Sequence, residues 1–122
     1  MKGGSKVMRR EVREYILAKA RFKAIEEERN RRLQKFQRLL EEGRIDEFVD
    51  KEMEIERELG YWEAYGRYKM AAEKLVDLGF ERIRPFLRKE QAEQLKVLEK
   101  GSFGRKIKLF DLADIFARWA GI

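Results

Sequence analysis

An all-α fold, a small helical bundle, is what three features of this 122-residue chain predict. Val7 to Glu42 contains neither Pro nor Gly and consists mostly of strong helix formers. Apolar residues recur at i, i+3 and i+4 through most of the remainder. Lys106-Ile107-Lys108-Leu109 alternates polar and apolar, but a lone strand of that length has nothing to pair with. The expected architecture is a long antiparallel helical hairpin, a third helix and a short C-terminal helix. It forms a single domain over residues 1–122, with helices near 7–42, 46–78, 84–100 and 111–120.

The first helix carries Met8, Val12, Tyr15, Ile16, Phe22 and Ile25 at helical spacing, and then Leu33, Phe36, Leu39 and Leu40. Between these two sets lie seven polar residues, Glu26 to Arg32, so the helix must cross solvent there, bend or break. Gly43 fits a left-handed C-terminal stop. Asp46 fits the N-cap of the second helix, with Ile45 before it as the staple residue. Its apolar line is Phe48, Val49, Met53, Ile55, Leu59 and Trp62, punctuated at Gly60 and continued by Tyr61, Tyr65, Tyr68, Ala72, Leu75 and Val76. Leu78-Gly79 is expected to end that run, with Phe80 as the apolar residue after the cap. Gly66 would let another helix approach closely.

Pro85 suits the start of the third helix, which carries Phe86, Leu87, Leu95 and Leu98 and stops at Gly101. Ser102-Phe103-Gly104 reads as a turn. Asp111 and Asp114 stand at N-cap and N3 spacing, with Leu109 or Phe110 before and Ile115 after, which opens a short helix ending near Ala120.

Charge supports the hairpin. The chain is 43% charged with a net charge of +6, yet residues 1–25 alone carry +6 and residues 26–63 carry −5. Folding about Gly43 sets Arg29, Arg31, Arg32, Lys35 and Arg38 beside Asp46, Glu47, Asp50, Glu52, Glu54, Glu56 and Glu58. Exposed pairs of this kind contribute about 0–1 kcal/mol each, so they select register more than they stabilise.

The absence of Cys, His and Thr, with Ser only at positions 5 and 102, removes triad, thiol and most zinc chemistry from this chain. No cofactor, metal ligand set, catalytic residue or small-molecule substrate is expected. The longest apolar runs fall far short of the roughly 20 residues a membrane helix needs, and a cytoplasmic, non-membrane protein is expected. Abundant Glu, Lys and Arg with one Asn and four Gln is a thermophile-like composition, which bears on stability and not on role.

Function is then a matter of surfaces. The expected role is a non-enzymatic interaction or assembly module that self-associates as a homo-oligomer, most simply a dimer. Tyr61, Trp62, Tyr65, Tyr68, Phe116 and Trp119 are its candidate interaction surface, since so many aromatics exceed what one small bundle hides. The alternative is a nucleic-acid-binding accessory protein, DNA or RNA, using Lys6, Arg9, Arg10, Arg13, Lys19, Arg21 and Lys23, with Lys2, through phosphate contact and counterion release. A weaker third reading is a Mg²⁺-dependent all-α nucleotide hydrolase built on Glu47, Asp50 and Glu54 or on Glu52 and Glu56. It requires carboxylates converging from two helices. Ala117 to Ile122 resembles the end of the first helix of a helix-turn-helix, without the recognition helix. Lys106 to Ala113 loosely resembles a sliding-clamp docking peptide, and only Leu109 fits that pattern.

Overall fold

The computed structural model describes residues 2–100 and 105–120. All regular structure among them is helical: α1 Lys2–Leu33, α2 Gln37–Glu41, α3 Ile45–Leu59, α4 Tyr61–Arg82, α5 Lys89–Lys100 and α6 Arg105–Trp119, with 3₁₀ turns at Gln34–Phe36 and Arg84–Phe86. The fold is an all-α bundle with a long N-terminal helix packed against others.

Helix α1 does not break in its polar stretch. Glu28 accepts hydrogen bonds from Arg31 at 2.6 Å and Arg32 at 2.9 Å, one turn on, which supports the helix where no apolar residue can. The interruption comes later, where the Gln34–Phe36 turn tightens the backbone and separates α1 from α2, so the segment 7–42 is not one helix. Gly43 adopts φ +76°, with Gly43 N–H donating to the Leu40 carbonyl (3.0 Å) and Arg44 N–H to the Leu39 carbonyl (2.8 Å). That is the paired-bond helix stop expected of a left-handed glycine.

Helix α3 begins at Ile45, with Arg44 in the capping position and no side-chain cap. Asp46 therefore lies inside the first turn with Glu47, where negative charge favours the positive end of the helix dipole. The expected helix 46–78 is two helices. Gly60 at φ +64° closes α3, and its carbonyl accepts the Ala64 N–H (3.0 Å) that opens α4. Gly79 does not end α4, which runs on to Arg82. Past Pro85, α5 starts with half a capping box: the Arg88 N–H donates to Gln91 Oε1 at 3.0 Å. Helix α6 starts at Arg105, so Asp111 is a mid-helix residue rather than an N-cap, and Lys106-Ile107-Lys108-Leu109 is helical. Nothing between Arg105 and Asp111 breaks a helix. Gly101, the Ser102-Phe103-Gly104 turn and the Gly121-Ile122 end lie outside the described residues.

The contacts divide the chain into two compact units, residues 1–16 with 69–122, and residues 17–68. In the first, the core is Met8, Val12 and Tyr15 of α1, Ala72, Leu75 and Val76 of α4, Leu95 of α5, and Leu112, Ala113 and Phe116 of α6. The Tyr15 hydroxyl donates to Asp114 Oδ1 at 2.6 Å, tying α1 to α6. Phe116 sits on Gly79, where a Cβ would come within 2.4 Å of the ring, and meets Phe80 edge-on at 5.3 Å. Close approach is thus made at Gly79 and not at Gly66, which faces open space. Ile16, expected in the core, is exposed.

In the second unit, Phe22, Ile55, Ala64 and Tyr68 are buried. Phe22 lies 5.2–5.6 Å from the rings of Tyr61, Tyr65 and Tyr68. The pairing is antiparallel about Gly43: Lys51 stands over the Phe36 ring at 5.5 Å, and farther from the turn Arg32 meets Glu58 and Arg29 meets Glu56.

Candidate interaction surface

Arg29 organises the second unit. Its guanidinium donates through Nη2 to Glu52 (2.9 Å) and through Nε to Glu56 (2.7 Å), and stands over the Tyr61 ring at 5.0 Å. Glu56 is buried, and its second oxygen accepts the Trp62 indole N–H at 3.1 Å. One carboxylate thereby joins α1, α3 and the start of α4. Burial pushes the Tyr61 phenol up from its ordinary pKa, partly offset by the Arg29 charge.

This polar knot borders an apolar surface. Ile45, Val49 and Met53 follow one another at i, i+4 and i+8 along α3, at 59%, 40% and 53% exposure. Beyond them Trp62 is 62% exposed, although its indole nitrogen is held by Glu56. Met53, Glu56, Arg57, Gly60, Trp62 and Glu63 line an open recess of about 290 Å³. On one flank of the strip stand Asp46 and Asp50, exposed, and on the other Glu52 and Glu56 with Arg29. Helix α3 carries seven carboxylates and two basic residues.

No protein-family model, curated protein or solved structure matches this chain.

Of the aromatic residues expected at an interface, Trp62 is on the surface, while Tyr61, Tyr65 and Trp119 are half-buried. Tyr68 and Phe116 are core residues, Tyr68 against Phe22 and Phe116 over Gly79, so neither is available to a partner. Of the basic residues on α1, Arg9, Arg10, Arg13, Arg21 and Lys23 are exposed and Lys19 is half-buried. Arg10 pairs with Glu14 at 3.2 Å and Lys23 with Glu26 at 3.6 Å. The side chains of Lys2 and Lys6 lie outside the described residues. Among the acidic groups weighed as a cation site, Glu52 and Glu56 converge on Arg29, Glu47 pairs with Arg44 and Glu54 with Lys51 at 3.7 Å. Among the described residues no three acidic side chains are gathered as metal ligands.

Val49 and Met53, expected on the apolar line of the second helix, are exposed. Two lines run along that helix, Phe48-Ile55-Leu59 inward and Ile45-Val49-Met53 outward, and only the strict i, i+4, i+8 spacing of the second separates them.

Proposed function

We propose that the protein is a non-enzymatic helical interaction module that associates with itself, with a dimer as its smallest assembled species. The observation that carries this reading is the Ile45-Val49-Met53 strip, which continues to an exposed Trp62. Contiguous exposed apolar surface of this kind, rimmed by charge, is a feature of interaction sites, and a Trp held in one rotamer by its own hydrogen bond is a preorganised anchor. Light scattering or sedimentation across concentration tests it. Mass rising above the monomer, and falling back when Met53 and Trp62 become Ser, is expected; a strict monomer at high concentration overturns it.

A second reading rests on a different observation: Arg9, Arg13 and Arg21 on α1 are exposed and form no ion pair among the described residues. Such cations suit phosphate contact in a nucleic-acid accessory role. Titration of labelled single- and double-stranded DNA and RNA should then show salt-dependent affinity that drops when these three arginines become Glu, and no binding at low salt removes this reading.

A further inference from the structure

The charge on α3 decides how two copies would meet. Pairing the strip with itself would bring Asp46 and Asp50, the α3 carboxylates that form no ion pair among the described residues, toward their own copies, and like charges facing across an interface are disfavoured. Its occupant must be apolar along its centre and basic along its flanks. The exposed side of α1 has that form: Leu17, 63% exposed, is followed by Ala20 and Ala24 at i+3 and i+7, with Arg21, which forms no ion pair among the described residues, on one flank and Lys23, paired with Glu26, on the other. The two alanines are small and exposed, so Val49 and Met53 can pack over them as bulky residues pack over small ones between helices. We propose that the α1 face of Leu17, Ala20, Arg21 and Ala24 in one copy docks on the α3 strip of Ile45, Val49 and Met53 in another, in a head-to-tail contact.

This assignment rests on the self-association reading and goes beyond it by naming both surfaces. Because the two faces differ, each pair leaves one α1 face and one α3 face unused, and the wild type grows past the dimer as concentration rises, unless a ring closes. The test uses two full-length variants whose folding is checked by helical circular dichroism. Leu17→Glu/Arg21→Glu spoils only the α1 face, and Asp50→Lys/Met53→Lys spoils only the α3 face. Each variant alone is expected to lose at least about tenfold in self-affinity and to sediment as a monomer. Mixed in equal amounts they should form a one-to-one heterodimer that grows no further, since the intact α3 face of the first accepts the intact α1 face of the second. Raising salt from 0.1 to 1 M, which shortens the screening length from about 10 to 3 Å, should weaken both wild-type and mixed assemblies. If the wild type assembles but the mixture does not, the head-to-tail contact is wrong and the module reading stands. If the wild type never assembles, both fall. Binding of DNA or RNA to the α1 face with the assembly left intact would show that this face is free in the assembly, and overturns the contact.

Discussion

Gly79 and Glu11 show how much a single position carries. Gly79 lies in the interior of α4, where glycine costs about 1 kcal/mol of helix propensity relative to alanine, yet the Phe116 ring occupies the space a methyl would need. Forcing a methyl into a packed core costs about 1–3 kcal/mol. Gly79→Ala should therefore lower the urea midpoint despite its better propensity, and Phe116→Leu in the same chain should recover part of the loss. Glu11, on the buried face of α1 with Met8, Val12 and Tyr15, has an Oε2 with no hydrogen-bond partner among the described residues. An unsatisfied buried polar group costs about 1–3 kcal/mol. Glu11→Met, of similar volume, should raise stability by about that amount in the same denaturation experiment, and a loss would show that the carboxylate has a partner in solution.

At the scale of elements, α1 and α3 are joined by ion pairs of unequal worth. Arg29 and Glu56 are largely shielded from solvent, whereas Arg32–Glu58 is exposed and contributes little. Arg29→Met would leave Glu56 buried with the Trp62 indole as its one donor among the described residues. The expected cost is about 2 kcal/mol or more, and Arg32→Met should cost a few tenths. Within α1, hydrogen bonds from Arg31 and Arg32 hold the Glu28 carboxylate below its ordinary pKa. A carboxylate whose pKa is lower folded than unfolded adds stability that is full above the unfolded value and is lost as pH falls through the folded one. Acid titration of stability should thus lose a component below the ordinary carboxylate range that disappears in Glu28→Gln. Tyr61 acts at the other limit: its phenol is raised in the fold, so stability declines as pH climbs past the ordinary tyrosine value, and Tyr61→Phe should flatten that alkaline arm.

Across the whole molecule, charge and burial are unevenly distributed. The N-terminal 25 residues are basic and the next 38 acidic, which permits copies to attract one another although the chain as a whole is positive. Burial is deep where α1, α4, α5 and α6 meet, while α2 has no buried residue at all. Amide hydrogen exchange should accordingly be fastest in Gln37–Glu41 and slowest around Ala72, Leu75 and Val76. The reverse order would mean that α2 is covered in solution.

Helical class, the stop at Gly43 and the antiparallel pairing of Arg29 and Arg32 with the carboxylates of α3 were legible in the chain, because each rests on local spacing or on charges at equal distance from one turn. The polar stretch from Glu26 to Arg32 gave no such answer, since pairs one turn apart can carry a helix through solvent as well as a break can end it. Helix ends were less legible: Asp46 and Asp111 have capping chemistry, but helices begin wherever nothing upstream stops them. Only the tertiary structure decided which apolar residues are core. Periodicity says that Val49, Met53 and Ile16 share helical spacing with buried neighbours; it does not say how wide a stripe the packing helix covers. Nor could spacing show that Gly79 serves Phe116 while Gly66 serves nothing, because a close approach is made by two segments and recorded in neither alone.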